Sequence, residues 1–420
     1  MFMKQTPMKI LFIDHEGGFG GSSRSLFYFI KALNKKKNIY IEVWCCKDGP
    51  IIERYKQLNI KVKKIDSIFT YTSLFSLSRN LYTFLFTIMK LLMNKSKNKH
   101  LIKYIQSNFD LVHFNHPNLF LFAIFIRKAN VPFIFHIRTV LENLYEGTPL
   151  NFINKKFNIL TSKLSVFLQI KSISLISSGL VFISKNEKKS FLKLGGYGKS
   201  VISHNLFNYT LLSQKKQDKS LNFDTFKIAV IENYRWSRGT DRLLEIAEEL
   251  RKKKIESVKF IVAGDMTLSK REAIYLNVEY RKGITIENIA KERNLLKYFK
   301  FLGSIPEPAD VMNECNILLS LTRRVGPWGR SVLEAMHYGK PVIATGESRG
   351  FVKDNFNGFF IKEYTPKLLV KKILYLIKNK NKYLDMQINT VNYIKNICDE
   401  EKNINQVLKI WQKAISKNKK

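Results

Sequence analysis

A carboxylate and a guanidinium lie one helical turn apart in a stretch that runs from a glycine-rich loop into an apolar strand. Glu334 follows Arg330 at a spacing of i,i+4, which places both side chains on one face of a short helix. The apolar run Val342–Thr345 behind that helix is typical of a buried parallel strand. Open α/β sheets bind ligands at such junctions. Glu334 is therefore either a solvated glutamate paired with Arg330 or a ligand-binding carboxylate.

The bounds of this helix are predicted from its proline and glycine residues. Pro327 suits the first helical position, where its missing N–H would have no partner. Gly339 suits the position after the last helical residue, and Pro341 prevents the helix from continuing.

Three other groups could bind an anion near the end of a predicted strand. Gly20 and Gly21 precede a helix, and backbone N–H groups at a helix N-terminus can approach a phosphate. His136 and Arg138 end a second strand, and Arg238 precedes a helix in the other half of the chain. Guanidinium groups suit phosphate oxygens. The pattern favours a phosphorylated ligand, while His136 alone could also be a core histidine.

Composition limits the classes of protein that the chain can be. Its 420 residues suffice for two or three domains, and a hydrophobic content of 45% supports sizeable cores. The 71 Lys and Arg against 34 Asp and Glu give a net charge of +37, which favours anionic partners. No spacing of the four cysteines suits a zinc site or a disulfide framework, so reduced thiols are expected. They are Cys45, Cys46, Cys315 and Cys398.

The stretch around Glu334 resembles the signature of family-4 retaining glycosyltransferases of the GT-B fold. That signature contains Leu-Glu-Ala-Met and, further on, Gly-x-Pro-Val-Ile-Ala-Thr. The residues that fit it are Pro327, Gly329, Leu333, Glu334, Ala335, Met336, Gly339, Pro341, Val342, Ile343, Ala344 and Thr345. The loop at Gly20 and Gly21 resembles the Gly-Gly-x-x-Arg-x-Leu opening of these enzymes. His136 and Arg138 fit their Pro-x-Val-x-His-x-Arg segment, and Arg238 takes the place of a lysine before glycine.

This resemblance covers nearly the whole chain and implies its architecture. The expected fold is α/β, with two Rossmann-like domains whose parallel sheets face each other across a cleft. Residues 1–207 would form the acceptor domain, 208–224 a linker and 225–395 the nucleotide-sugar donor domain. The helix at 396–420 is expected to pack back on the first domain.

The resemblance also implies roles for individual residues. Arg238 would contact the donor diphosphate, Glu334 would accept ribose hydroxyls and His136 would fix the sugar, so these three are the predicted catalytic residues. No metal and no cofactor are expected beside the donor, a UDP- or GDP-sugar, because fixed cations can hold its diphosphate. The predicted donor-binding residues are Gly20, Gly21, Arg138, Arg235, Gly303, Thr322, Gly326, Arg330, Glu347 and Gly350.

The chain departs from the signature at its first glutamate, which is replaced by Gly326. In relatives that glutamate touches sugar hydroxyls. Glu347 could substitute for it, Arg323 or Arg324 could read a charged sugar, or catalysis could be weakened. Retention in this family is thought to use the leaving phosphate to deprotonate the acceptor, and it then needs no carboxylate nucleophile.

Charge and resemblance together suggest the partners. A glycan or polyprenyl-linked acceptor is expected, in the synthesis of a surface polysaccharide such as capsule or lipopolysaccharide O-antigen. The apolar segment 68–93 and the basic cluster behind it fit either a core helix or a helix on an anionic membrane surface. Residues 152–177 are again apolar and basic. We expect a cytoplasmic protein that is peripheral on the inner face of the plasma membrane.

Three other classes compete with this interpretation. A nucleic-acid-binding protein is suggested by the net charge, but the sequence contains no zinc-finger, RRM, KH or helix-turn-helix motif, and no nucleic acid is expected as a partner. A non-catalytic GT-B subunit is suggested by Gly326. A NAD-dependent enzyme is disfavoured because the first glycine loop lacks the strict dinucleotide fingerprint.

Overall fold

A computed structural model describes residues 7–18, 20–36, 38–65, 99–141, 155–206, 223–305, 308–324, 329–348 and 350–418. The chain divides into two compact units. The first comprises Met1–Phe207 and Cys398–Lys420, and the second comprises Asn208–Ile397. The predicted apolar segment 68–93, most of the predicted linker 208–224 and Gly326 lie outside the described residues.

The first unit contains a parallel sheet of seven strands in the order β3-β2-β1-β4-β5-β6-β7. Its strands are β1 Met8–Asp14, β2 Ile39–Cys45, β3 Lys61–Lys64, β4 Leu111–Phe114, β5 Phe133–Ile137, β6 Gly179–Phe182 and β7 Ser200–Ile202. The helices that connect them are α1 Gly21–Leu33, α2 Ile51–Gln57, α3 Lys99–Asn108, α4 Phe120–Ile126, α5 Lys155–Ile176 and α6 Lys185–Lys193.

The second unit contains a parallel sheet of six strands in the order β10-β9-β8-β11-β12-β13. Its strands are β8 Phe226–Ile231, β9 Val258–Ala263, β10 Phe299–Phe301, β11 Ile317–Ser320, β12 Val342–Thr345 and β13 Gly358–Ile361. Its helices are α7 Arg242–Lys252, α8 Lys270–Tyr275, α9 Ile286–Glu292, α10 Ala309–Glu314, α11 Arg330–His337, α12 Pro366–Lys378 and α13 Lys380–Ile397. The last helix of the chain, α14 Glu400–Asn418, belongs to the first unit.

Strand β1 is apolar on both faces because helices cover both sides of its sheet. Leu11 and Ile13 belong to one buried core, while Ile10 and Phe12 belong to the other. Successive side chains of a strand point to opposite faces, so a continuous apolar run is the sequence of a central strand in a two-sided sheet. Strand order in both units reverses beside the first strand, and such a switch point opens a crevice at the carboxyl ends of the strands.

Helix α14 completes the core of the first unit. Ile404, Val407 and Trp411 are buried in the same core as Ile10 and Phe12. Its N-terminal turn is also hydrogen-bonded to the loop after β7. The His204 N–H donates to Asn403 Oδ1 at 2.6 Å, and the Ser203 hydroxyl donates to the Asn403 carbonyl at 3.2 Å.

Two sequence-based expectations can be compared directly with the structure. Helix α11 begins at Arg330, and the prediction that it begins at Pro327 is wrong, because Gly329 has extended backbone with φ −61° and ψ 118°. The four cysteines are free thiols, as expected, and the structure shows that all of them are buried. Burial raises the pKa of the Cys315 thiol to about 12, so that it stays protonated.

The Asn403 side chain provides a test of how firmly α14 is docked. Asn403→Ala removes the acceptor of the His204 N–H, and a lost partner of this kind costs about 1–3 kcal/mol of unfolding free energy. Asn405→Ala, at a half-buried position on the same helix, is the matched control and should cost less than about 0.5 kcal/mol. Urea unfolding measures both, and equal losses would show that the Asn403 contact does not hold the helix.

Candidate functional site

A buried polar network lies at the carboxyl edge of the first sheet, where the strand order reverses. Asn115 follows β4, and its side-chain amide donates to Asp14 Oδ1 at 3.1 Å, at the end of β1. Arg138, beyond the end of β5, donates from Nε to Asn115 Oδ1 at 2.6 Å and from Nη1 to Asn205 Oδ1 at 2.7 Å. The predicted donor-binding residue Arg138 is thus fixed in place, with 7% of its surface exposed.

The predicted catalytic residue His136 belongs to the same network. The residue is 1% exposed, and its Nδ1 lies 3.2 Å from Arg138 Nη2 and 3.2 Å from His113 Nε2. Burial, followed by the charge of Arg138, holds the pKa of both histidines well below the usual range. Both imidazoles are therefore neutral at neutral pH.

The glycine loop reaches this network through α1. Gly20 caps the helix with its backbone, since the Arg24 N–H donates to the Gly20 carbonyl at 2.9 Å. The Asn115 amide also donates to the Ser22 carbonyl at 3.3 Å, which links the start of α1 to Arg138. A Cβ added at Gly21 would meet nothing within 4 Å, so this helix start is open to a ligand. The structure therefore brings Gly20, Gly21, His136 and Arg138 together in one unit.

In the second unit, Arg238 ends a tight turn after β8. Residues Trp236–Arg238 form one turn of 3₁₀-helix, and Gly239 follows in the left-handed region with φ +68°. A Cβ at Gly239 would lie 2.1 Å from the Leu321 carbonyl, which is at the end of β11. Only glycine allows the turn to approach the neighbouring strand so closely. The sequence thus places Arg238 at the switch point of the second sheet.

Glu232 is a site residue that the sequence reasoning missed. It directly follows β8, and its Oε1 lies 3.1 Å from Arg238 Nη1. A Cβ at Gly329 would lie 3.9 Å from the same oxygen, so Gly329, the residue before α11, approaches this pair as well. Its position immediately after an apolar strand, six residues before Arg238, was the available signal.

Glu334 is not the solvated glutamate of the simpler interpretation. It is 8% exposed, and its Oε1 forms an ion pair with Arg330 Nε at 2.8 Å. A buried carboxylate in the first turns of a helix requires partners. Since Gly329 approaches Glu232, the Arg238–Glu232 and Arg330–Glu334 pairs lie on adjoining segments of one edge.

The remaining predicted donor-binding residues extend the same edge, with one exception. The Thr322 hydroxyl donates to the Ser237 carbonyl at 3.2 Å, and the Glu347 N–H donates to the Arg324 carbonyl at 3.4 Å. The Gly303 carbonyl accepts from the Gly264 N–H at 2.7 Å, beside Glu232. By contrast, the Arg235 side chain is exposed. Gly350 adopts φ +54° in the loop after Glu347, and a Cβ there would meet nothing within 4 Å.

Arg323 is held by the protein itself. It forms a two-armed ion pair with Asp241, and its Nη1 also donates to the Trp236 carbonyl at 2.6 Å. These contacts make it a link between the Trp236–Arg238 turn and the segment after β11. That arrangement disfavours the hypothesis that Arg323 reads a charged sugar. Arg324 lies with its guanidinium carbon 5.5 Å from the centre of the Trp236 ring.

Two general features concern metals and membranes. Across the parts of the chain with a described structure, no three or more His, Cys, Asp or Glu side chains are grouped so that they could hold a metal ion. Within the same ranges, none of the helices combines the length and the apolar character that crossing a bilayer demands.

Fold and site define a protein of two Rossmann-like units that presents fixed cations and a buried carboxylate at strand ends. Residues 213–393 match the family model described as Glycosyl transferases group 1. The second unit therefore belongs to this family of glycosyltransferases.

Comparisons with individual proteins agree with this assignment. The chain is 28% identical over 146 residues to a poly(ribitol-phosphate) α-N-acetylglucosaminyltransferase of Staphylococcus aureus. That match spans 34% of this chain and only 26% of the relative. Among solved structures, HepE of Anabaena in complex with UDP-glucose superposes with a TM-score of 0.70 at 18% identity, over 96% of this chain and 98% of HepE.

A second solved structure, a variant of S. aureus TarM, superposes with a TM-score of 0.68 at 14% identity. The alignment covers 96% of this chain and 99% of TarM, which was solved with fondaparinux, α-GlcNAc-glycerol and UDP. At these identities the likeness establishes the fold alone. The chain accordingly has the GT-B fold that the sequence implied.

The Gly239 turn gives a prediction that separates backbone strain from steric collision. Gly239→Ala should reduce the unfolding free energy by more than about 3 kcal/mol, because the left-handed conformation and the clash with the Leu321 carbonyl add together. Gly283→Ala is the control, since Gly283 has φ +85° but open space around its Cβ position, and it should cost about 1–2 kcal/mol. Urea denaturation measures both, and equal costs would contradict the close approach.

Proposed function

We propose that the chain is a retaining glycosyltransferase that moves a sugar from a nucleoside-diphosphate sugar to a glycan or lipid-linked glycan acceptor. The observation that carries the proposal is that the Arg238–Glu232 pair and the buried Arg330–Glu334 pair lie on adjoining segments of the switch-point edge, in the matched family region. The S. aureus relative is named as an N-acetylglucosaminyltransferase, and both neighbouring structures contain UDP or UDP-glucose. A UDP-sugar is accordingly the first donor to examine, with a GDP-sugar as the alternative.

The chemistry follows from the charges at this edge. Arg238 takes the diphosphate oxygens and stabilises the charge that grows on the leaving group, while Glu334 accepts ribose hydroxyls. Fixed guanidinium groups can supply this stabilisation without a divalent cation. The bond from the anomeric carbon to the phosphate oxygen breaks, and a bond to the acceptor oxygen forms on the same face. The acceptor proton passes to the departing phosphate.

Glu232 gives this site a resting partner for Arg238. Without the donor, the carboxylate 3.1 Å away balances the guanidinium charge. When the diphosphate binds, Arg238 must be shared between two anionic groups. Glu232 is then positioned as a carboxylate that can bind sugar hydroxyls, which is the function of the signature glutamate that Gly326 replaces.

The acceptor side of the proposal is supported by the similar proteins and by the net charge of this chain. The S. aureus TarM variant was solved with fondaparinux and α-GlcNAc-glycerol as well as UDP. The S. aureus relative is named for an anionic polymer, poly(ribitol-phosphate). A net charge of +37 suits a phosphate-bearing acceptor. We therefore place the reaction in the synthesis of a surface polysaccharide such as capsule, lipopolysaccharide or teichoic-acid-like polymer.

Donor binding is tested by thermal shift with UDP-glucose, UDP-N-acetylglucosamine and GDP-mannose. A ligand at 100 times its Kd adds about 2.7 kcal/mol to the unfolding free energy and raises the melting temperature. Glu334→Gln removes a charged acceptor and should weaken binding by roughly 10-fold to 100-fold. It should also lower the rate at which the nucleoside diphosphate is released from the donor.

The matched control for this substitution is Glu248→Gln. Glu248 also pairs with an arginine, Arg293, at 3.2 Å, but it lies on α7. It should leave donor affinity unchanged. Equal binding and equal turnover in wild type and Glu334→Gln would refute the assigned role, while binding without turnover on any lipid-linked glycan would indicate a non-catalytic subunit.

We further propose that the first unit rests on an anionic membrane surface through α5. Leu164, Phe167, Leu168 and Leu175 are 55%, 44%, 46% and 71% exposed and share one face of this helix. The opposite face, with Val166, Ile170 and Ile173, is buried in the core. Helix α5 is therefore apolar on both faces, and the described residues do not cover its outer face.

Charge selects the lipid surface as the occupant of this face. Lys171 lies on it, with its Nζ 5.4 Å from the centre of the Phe167 ring and 5.5 Å from that of Tyr197. Exposed Lys189, Lys193 and Lys199 lie in the neighbouring segments. Apolar side chains combined with lysines give the two signals that hold a protein on an anionic bilayer. The protein would thus be peripheral on the cytoplasmic face of the plasma membrane.

Membrane binding is tested by sedimentation with phosphatidylglycerol vesicles, with phosphatidylcholine vesicles as the neutral reference. The double substitution Leu164→Ser with Leu168→Ser should weaken binding at least about tenfold, because two inserted leucines are lost. Leu384→Ser with Ile388→Ser is the control, since these residues are 46% and 61% exposed at the same spacing on α13. Equal effects of the two pairs, or equal binding to both lipids, would contradict the proposal.

A further inference from the structure

Three buried aromatic side chains form a hydrogen-bonded chain inside the first unit. Trp411 Nε1 lies 3.1 Å from His113 Nδ1, and His113 Nε2 lies 3.2 Å from His136 Nδ1. Trp411 comes from α14, 298 residues after His113. Trp411, His113 and His136 are each at most 1% exposed.

The donors at the two ends of this chain determine where each imidazole carries its proton. The Trp411 indole N–H can only donate, so His113 Nδ1 accepts and carries no proton. A neutral His113 must then hold its proton on Nε2, from which it donates to His136 Nδ1. Arg138 can only donate as well, and its Nη2 approaches the same His136 Nδ1 at 3.2 Å. His136 must therefore carry its proton on Nε2.

Surrounding rings leave the histidines little freedom to rotate. The His113 ring centre lies 5.0 Å from that of Phe12 and 6.2 Å from that of Phe29. Phe12 and Phe29 also pack against Trp411, with ring centres 5.8 Å and 6.3 Å apart. Packing thus maintains the order of donors and acceptors that the hydrogen bonds require.

At the end of this chain, His136 Nε2 is buried and has no hydrogen-bond partner among the described residues. A buried donor without a partner is costly, and native proteins keep few of them. These hydrogen bonds from Trp411 to His113 and from His113 to His136 therefore leave the neutral His136 with an Nε2–H of fixed direction and no acceptor. An oxygen atom of a ligand, such as a sugar hydroxyl, would satisfy it.

We propose that Trp411 and His113 are positioning residues that fix the tautomer of His136, so that its Nε2–H donates to a hydroxyl of the sugar or acceptor. This inference rests on the proposed function for the identity of the ligand, but the tautomers themselves do not depend on it. It gives the C-terminal helix a function in the reaction beyond filling the core. With the opposite tautomer, Nε2 would present a lone pair to the ligand and Nδ1–H would oppose two other donors.

Long-range ¹H–¹⁵N spectra of histidine-labelled protein test the tautomers directly. In the wild type, His113 and His136 should each show one protonated nitrogen, Nε2. Trp411→Phe keeps the packing but removes the indole N–H, so His113 should become a mixture of both tautomers. Turnover of the UDP-sugar should fall about tenfold, the value of one lost hydrogen bond, with little change in donor KM.

Trp44→Phe is the matched control. Trp44 is also fully buried in the first unit, and its indole N–H donates to Glu42 Oε1 at 2.8 Å, away from the histidines. It should leave the tautomers of both histidines and the turnover unchanged. If Trp411→Phe fails to fold, the wild-type spectrum still shows whether His113 and His136 carry their protons on Nε2.

The outcomes separate this inference from the proposed function. A proton on Nδ1 of either histidine in the wild type would overturn the inference, whatever the activity. An unchanged His113 spectrum or unchanged turnover in Trp411→Phe would overturn the positioning role. If the wild type shows the expected tautomers but neither binds nor turns over a nucleotide sugar, only the proposed function is refuted.

Discussion

The ion pair between Asp241 and Arg323 is the contact on which the geometry of the second unit depends. It is largely buried, with side-chain exposures of 3% for Asp241 and 11% for Arg323. Arg323 also binds the backbone of the Trp236–Arg238 turn, because its N–H donates to the Ser237 carbonyl at 2.9 Å and its Nη1 to the Trp236 carbonyl. Two strand ends at the switch point are thereby locked together. The position of Arg238 therefore depends on this charged pair, which fixes the turn that Arg238 ends.

The first unit holds its edge with a network of hydrogen bonds rather than with one two-armed ion pair. Its edge is held by amide, carboxylate and guanidinium hydrogen bonds among Asp14, Asn115 and Arg138, and by the line of indole and imidazole rings. In the proposed reaction the second unit supplies fixed positive charge, which suits a transfer in which negative charge develops on the diphosphate.

Much of this arrangement could be predicted from the sequence. The strand Val342–Thr345 was predicted with its observed bounds, since a buried parallel strand is a short apolar run before a turn. The ion pair of Glu334 with Arg330 followed from helical spacing. The GT-B fold was implied by the resemblance and is confirmed by the structural comparisons.

Other features could not be predicted from the sequence because they are contacts between residues that are far apart in the chain. No local pattern indicates that Trp411 would meet His113, or that Arg323 would bind Asp241 rather than a sugar. Glu232 was overlooked because a single glutamate after a strand has no distinctive spacing. The helix was predicted to begin at Pro327. It begins at Arg330 instead, because the backbone of Gly329 is extended rather than helical.

We propose that Arg238 and Glu334 hold the diphosphate and the ribose of one donor, and a crystal structure of the protein with bound UDP would show whether they do. Diphosphate oxygens should lie within about 3 Å of the Arg238 guanidinium, and ribose hydroxyls within about 3 Å of the Glu334 carboxylate. A nucleotide bound elsewhere, with Arg238 still paired only with Glu232, would contradict it.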